Sequence, residues 1–274
     1  MRACPPGRIL RSWRSWRTPL RQLRSLFAVT GHYSTAYIVR RKREACAVAA
    51  DSIWLRPERA SRGPAPGYDR DALAAAGVAL ADARGLAAAT MRAVADALGA
   101  GPASLYRYIA TREELVELMV DRAHAEIRYP ERTGTWLDDL LALARESRRV
   151  TLAHPWLLDA TATRTPMGPS TVAFLEHALG TLADLDVPTR DKLEAIAVLS
   201  AVVSALARAE VAQSLDGRTI PEWQQAQAAY LAHIAAEGRH PHLAAAFTHQ
   251  PQIPESVDAL FTRIVTGVLT GLLR

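Results

Sequence analysis

The sequence predicts an all-α protein, on three observations. After Gly67 no run of β-branched residues alternates long enough to build a strand. Ala and Leu dominate that region instead, with apolar residues returning at the three- and four-residue spacing of a helix. Pro102, Pro155, Pro188, Pro221 and Pro254 stand where first helical turns begin, a position that tolerates the missing N–H. With 49% hydrophobic residues among 274, the chain can bury one large core or two small ones. No uninterrupted apolar run approaches the ~18 residues of a membrane span, so a cytoplasmic chain without membrane partners is expected. Two cysteines, Cys4 and Cys46, exclude a disulfide-rich scaffold or a zinc finger.

The net charge of +5 conceals two unlike parts. Residues 1–62 carry 14 Lys and Arg against Glu44, Asp51 and Glu58, whereas the remaining 212 residues carry 19 Lys and Arg against 25 acids. In the basic part Arg2, Arg8, Arg11, Arg14, Arg17, Arg21 and Arg24 recur every three to six positions and are followed by Arg40-Arg41-Lys42-Arg43. Three readings stay open: an arm adding nonspecific DNA affinity, a disordered tail, or translated upstream sequence. Arg interrupts every apolar stretch, which argues against a signal peptide. Residues 1–67, ending in the Pro- and Gly-rich 59–67, are expected to be an extension and linker.

The helices follow in order. Asp69 caps a helix expected to turn Leu73, Ala76, Leu80 and Ala83 inward and to stop at Arg84-Gly85. Thr90 opens a short helix with Val94, Ala95 and Leu98 inward, closed by Gly99-Ala100-Gly101. Pro102 starts a second short helix, and Thr111 with Glu114 is a capping-box signature for a helix from Arg112 to about Ile127. Two short helices joined by a Gly-containing turn match a helix-turn-helix, although helical bundles also contain this pattern as packing. Beyond it, helices are expected at about 134–152, 155–163, 169–185, 189–215, 221–237 and 255–273.

Four segments together carry a resemblance. They are residues 68–77, residues 85–99 with Leu98-Gly99 at the turn, Pro102-Ala-Ser-Leu-Tyr-Arg-Tyr-Ile109, and Thr111-Arg-Glu-Glu-Leu115. At this spacing the region 69–127 resembles the DNA-binding domain of the tetracycline-repressor family. His154-Pro155-Trp156, Gly168-Pro169, Pro188 and His240-Pro241-His242-Leu243 occur in the order of that family's tetracycline-repressor-type C-terminal domain. The resemblance implies a helix-turn-helix three-helix DNA-binding domain at 68–128 and a helical effector-binding and dimerisation domain at 129–274. It also implies a transcription regulator, most simply a repressor released from a double-stranded DNA operator by a small, largely apolar ligand.

The same resemblance implies roles that side-chain chemistry supports. Thr90, at a helix N-terminus, suits a phosphate oxygen, and Arg92 suits phosphate or a guanine edge. Pro102, Ala103 and Ser104 would face bases from the first turn of the recognition helix. Tyr106, Arg107, Tyr108 and Arg112 are base or phosphate candidates. Core packing competes for both tyrosines, with Tyr106 favoured for it by its neighbours, and an acid such as Glu113 competes for Arg112.

In the C-terminal part, Trp136, Trp156, Met167, Phe174 and His177 are the candidate ligand-lining residues, with ordinary core as the competing reading. Asp159-Ala-Thr-Ala-Thr163 supplies no metal-anchoring His, so metal-tetracycline binding is not implied. His240, His242 and His249 are expected to be exposed loop residues, and neither a metal nor a cofactor is expected. Helix 189–215 (Leu199, Val202, Val203, Leu206) and helix 255–273 (Phe261, Ile264, Val265, Val268, Leu272) are apolar nearly all round and need burial on two sides. The family's homodimer supplies that as a four-helix bundle; burial within one subunit is the alternative. No phosphate loop, nucleophile elbow or metalloprotease motif occurs, so no enzyme is expected. The rival reading is a helical interaction or ligand-binding module without specific DNA binding.

Overall fold

The computed structural model describes residues 52–56, 68–162, 165–215, 222–248 and 256–273. The chain divides into two compact units, residues 1–57 and 58–274. Of the first, residues 52–56 form a turn closed by the Leu55 amide on the Ser52 carbonyl at 3.1 Å. The Arg-rich series, Arg40–Arg43, both cysteines and the 59–67 linker lie outside the described residues.

The second unit is all helical among the described residues. Helix α1 (Arg70–Arg84) begins where Asp69 Oδ1 accepts the Ala72 amide at 2.8 Å, and it ends at Gly85, whose φ of 80° favours glycine. Its inner face is Leu73, Ala74, Gly77, Val78 and Ala81. Only Leu73 of the expected face is buried, because in so Ala-rich a helix the pattern does not distinguish adjacent stripes.

After a 3₁₀ turn (Leu86–Ala88), Thr90 Oγ1 caps α2 (Met91–Ala97) through the Ala93 amide at 3.1 Å. Gly99, with φ of 63°, turns the chain into α3 (Pro102–Leu105), and helical turns continue to the Ile109 amide on the Leu105 carbonyl at 3.1 Å. Helix α4 (Arg112–His124) is capped as its sequence predicts: Thr111 Oγ1 accepts the Glu114 amide, and Glu114 Oε2 accepts the Ala110 amide. It stops short of Ile127, which lies buried in the following turn.

Helices α1 and α4 are the main packed pair of this first bundle. Gly77 permits their approach: a Cβ there would stand 2.7 Å from Met119 Sδ and 2.9 Å from its Cγ. Met119 and Leu115 are fully buried.

The remaining helices are α5 (Trp136–Ala153), α6 (Leu157–Ala160), α7 (Pro169–Thr181), α8 (Thr189–Leu215), α9 (Glu222–Ala236), α10 (Pro241–Thr248) and α11 (Val257–Leu272). Helix α10 replaces the loop expected around His240 and His242. Pro241 opens it, and both histidines are exposed; His249 lies outside the described residues.

Helices α5, α8 and α11 pack mutually, tied by Arg148. Its guanidinium bonds both Glu210 carboxylate oxygens at 2.7 and 2.8 Å, reaches Asp258 at 2.5 Å, and lies 4.9 Å over the Phe261 ring.

This packing revises the expected interface. Leu199, Val203, Phe261 and Val265 are at most 2% exposed and face their own protomer's interior, so they are unavailable to a partner. Val202, Leu206, Ile264 and Val268 are half-buried, and Leu272 is 44% exposed. The absence of a membrane-length apolar stretch also needs correcting. Thr189–Ala212 within α8 is long and apolar enough to cross a membrane, with mean hydropathy 1.8, because alanines raise the average across charges that interrupt any single run. A mostly buried core helix passes the same test, whereas 28% of this stretch is buried, with Ala195, Ile196, Leu199, Val203 and Ala207 turned inward.

Gly77→Val is expected to destabilise the protein by about 1–3 kcal/mol, since branching drives atoms into the fully buried Met119. Urea unfolding checks this; an unchanged midpoint would show that α1 and α4 can separate at no cost.

Candidate functional site

Helices α2 and α3 expose a set of side chains to solvent. Arg92, Pro102, Ala103 and Arg107 are exposed. Arg92 stands 4.0 Å from Asp96, a highly exposed pair that holds it weakly. Thr90 is exposed while capping α2. Ser104 donates to the Gly101 carbonyl at 2.6 Å and keeps its oxygen lone pairs as acceptors.

The two tyrosines reverse their expected parts. Tyr106 is 58% exposed. Tyr108 is half-buried, sets its ring edge-on to Tyr68 at 6.1 Å, and accepts Arg70 Nε on its carbonyl at 3.3 Å. Arg112 is also diverted. Its Nη2 donates to the Leu86 carbonyl at 3.0 Å, tying the start of α4 to the turn before α2.

Polar contacts join this bundle to the helices beyond it. Asp82, near the end of α1, accepts both His154 Nδ1 and Trp156 Nε1 at 2.7 Å. The other His154 nitrogen is buried and lies 3.3 Å from Glu126 Oε1, near enough for attraction though not aligned as a hydrogen bond. Asp121 of α4 accepts the Ser170 amide in the first turn of α7 at 2.7 Å. His124, the last residue of α4, meets Thr171 Oγ1 at 3.1 Å. Arg149 donates to the Glu126 carbonyl and to Glu146, and the guanidinium beside Glu146 holds that carboxyl below the usual carboxylate range.

A cavity of about 100 Å³, open on one side, lies where these helices meet. Its apolar wall is Ile127, Leu157, Leu158 and Phe174. The rest is hydroxyl: Ser147 and Thr151 from α5, Thr161 and Thr165 flanking α6, Thr171 from α7, and Ser200 and Ser204 from α8. His124 completes it, its proton affinity lowered by burial against a smaller opposing pull from Asp121.

Of the expected ligand-lining residues, Phe174 alone reaches this cavity. Trp156 is buried on Asp82, Met167 is 57% exposed, Trp136 is half-buried at the start of α5, and His177 packs 4.9 Å from the Tyr129 ring. The wall escapes a search for aromatic residues, because Ser and Thr in helices carry no sequence signal for a cavity. His124 escapes it because it stands at the end of a helix read as DNA-binding.

The comparisons with known proteins agree with this architecture. Residues 73–119 match the family described as "Bacterial regulatory proteins, tetR family", and residues 130–274 match "Tetracyclin repressor-like, C-terminal domain". The chain belongs to the tetracycline-repressor family.

It is 35% identical over 198 residues to the HTH-type transcriptional repressor DrrR1 of Streptomyces coeruleorubidus, covering 70% of this chain and 73% of that protein. It is 36% identical over 163 residues to an HTH-type transcriptional regulator of Saccharopolyspora erythraea, covering 59% and 69%. Among solved structures, the Streptomyces coelicolor TetR family protein ActR in complex with actinorhodin superposes with a TM-score of 0.65 at 28% identity, covering 76% of this chain and 98% of that one. This tetracycline-repressor family member is thus a helix-turn-helix DNA-binding transcriptional regulator, and ligand-responsive repression fits its relatives and its fold.

Asp82→Ala leaves the Trp156 N–H and His154 buried without their acceptor and is expected to cost about 1–3 kcal/mol in thermal unfolding. In that background Trp156→Phe should cost less than it does alone, because the shared bond is already gone. Additive losses would show that Asp82 does not hold Trp156.

Proposed function

We propose that the chain acts as a cytoplasmic homodimer that represses transcription, carries no enzymatic activity, and leaves its operator when a small molecule occupies the α4–α8 cavity. Residues 68–128 serve as the DNA-binding domain and 129–274 as the effector and dimerisation domain. Thr90, Arg92 and Arg107 meet phosphates; Pro102, Ala103, Ser104 and Tyr106 face base edges, with Ala103 limited to apolar contact such as a thymine methyl. Tyr108 and Arg112 support that surface from behind. Val202, Leu206, Ile264, Val268 and Leu272 form the partner-facing stripe of α8 and α11.

One observation carries this reading: α4 belongs to both halves. Leu115 and Met119 pack it beside Gly77 of α1, while Asp121 and His124 bind the first turn of α7 at the cavity wall. A ligand that favours one placement of α4 necessarily biases the recognition helix, and differential affinity for the two states suffices. ActR, which shares this fold, is solved in complex with actinorhodin, and this supports a ligand-responsive reading.

The test is a mobility-shift titration with DNA from upstream of the protein's own gene against a scrambled duplex. Retardation of the first at concentrations that leave the second free is expected. Arg107→Ala should weaken both and flatten the dependence of log affinity on log salt by about 0.9 for each phosphate no longer neutralised. Equal binding of both duplexes by the parent protein would favour the interaction-module reading, and an unchanged salt slope would remove Arg107 from the phosphates.

A further inference from the structure

His154, which closes the C-terminal end of α5, stands between two carboxylates of the first helical bundle. Its Nδ1 lies 2.7 Å from Asp82 Oδ1 of α1, and its Nε2 lies 3.3 Å from Glu126 Oε1 in the turn after α4. The same Asp82 oxygen accepts the Trp156 N–H at 2.7 Å. Indole is a donor only, so that oxygen serves as an acceptor, and Nδ1 must carry a proton to bond it. The variable left in the ring is the Nε2 proton.

Nε2 is buried from water and no hydrogen bond reaches it. Without a proton, its lone pair faces the Glu126 carboxylate, and no donor replaces the water it has lost. With a proton, the ring is a cation bonded to Asp82 on one side and drawn to Glu126 on the other. The remaining charged groups on the surrounding elements have other partners or face solvent. Arg149 of α5 donates to the Glu126 carbonyl and to Glu146, and Asp159 of α6 lies 3.5 Å from Arg208 of α8. At the end of α4, Asp121 accepts the Ser170 amide and His124 meets Thr171. Arg84 and Arg128 are exposed.

Imidazole is the side chain whose charge changes near neutral pH. Here that change falls on the seam between α5 and the bundle that carries α2 and α3. We propose that Asp82, His154 and Glu126 form a proton-operated latch: with both ring nitrogens protonated it holds α5 to α1 and to the end of α4, and loss of the Nε2 proton loosens it. The consequence for DNA rests on the repressor reading above. A latched seam keeps the recognition helices in one placement, so operator binding loses nothing to selecting it from a broader set.

The experiment is urea unfolding of the full-length protein at about pH 6 and about pH 8, either side of the imidazole range. His124 and His177 work against the latch, because burial lowers their proton affinity and the stability they contribute falls as the solution becomes more acid. The readout is therefore the midpoint of the parent minus that of a variant at the same pH. His154→Gln keeps a donor for Asp82 and cannot take a second proton; Glu126→Gln keeps the shape and removes one charge. For both, the parent's advantage is expected to be larger at about pH 6 by about 0.5 M urea or more. His242→Gln, at an exposed position on α10, should follow the parent at both pH values.

An advantage that is equal at the two pH values, or grows toward pH 8, overturns the latch. Glu126 is half in water, so Glu126→Gln decides the question even if His154→Gln fails to fold. Parent dependence on pH that survives Glu126→Gln overturns it as well. Mobility shift at the same two pH values should show the parent's operator affinity favouring the lower one more than that of either variant. An identical ratio in parent and variants would overturn the regulatory role. Absence of operator binding at both pH values would defeat the repressor reading and leave the unfolding comparison standing.

Discussion

Helix α4 is the constraint on which the rest of the molecule depends. It is 13 residues long, about 20 Å of rigid rod, and buries Leu115, Leu118, Met119, Val120 and Ala123. Its capping box fixes where it starts, Gly77 lets α1 lie against Leu115 and Met119, and Arg122 pairs with Asp71 at the α1 N-terminus. Two residues after Met119 the partners change, and Asp121 and His124 are held by α7. A helix gripped at both ends transmits displacement because its length cannot absorb it. Close-packed neighbours such as Met119 resist intermediate positions.

Around that rod a set of polar contacts ties the two halves. Asp82 gathers the His154 and Trp156 ring nitrogens, Glu126 lies opposite the second His154 nitrogen, and Arg149 reaches the Glu126 carbonyl. Such contacts are directional and contribute modestly once desolvation is counted, so they define a position without welding the halves together. The distal helices follow another rule. There Arg148 holds α5, α8 and α11 around a buried apolar seam of Leu199, Val203, Phe261, Val265 and Leu269, which gives α4 a firm body to move against.

Much of this was legible in the sequence where one residue performs one local task. Asp69, Thr90 and Thr111 cap the helices they predict, Pro102 opens α3, and Gly85 and Gly99 occupy the positive-φ turns. What was not legible depends on which face a helix turns inward. In α1 seven of the fifteen residues are Ala, spread over every face, so Ala76 and Ala83 looked as inward as Ala74 and Ala81. In α8 and α11 both faces are apolar, and only packing separates Val203, turned inside, from Val202, half-exposed. Tyr106 and Tyr108 exchanged roles because Tyr68, distant in sequence, claims the second ring. The cavity was hidden for a related reason: its wall is drawn from five helices, and its hydroxyls are ordinary in each.

The central claim is that α4, through Asp121 and Asp82's neighbouring clasp, sets where the recognition helices stand. It is tested most directly by electron–electron resonance distances between spin labels at Ala103→Cys in the proposed dimer, with Cys4 and Cys46 replaced by Ser. The account predicts one narrow separation near the ~34–36 Å of successive major-groove half-sites in the parent protein. It predicts a broadened distribution when Asp121→Ala and Asp82→Asn release the rod. The same narrow distance in parent and variant would contradict it.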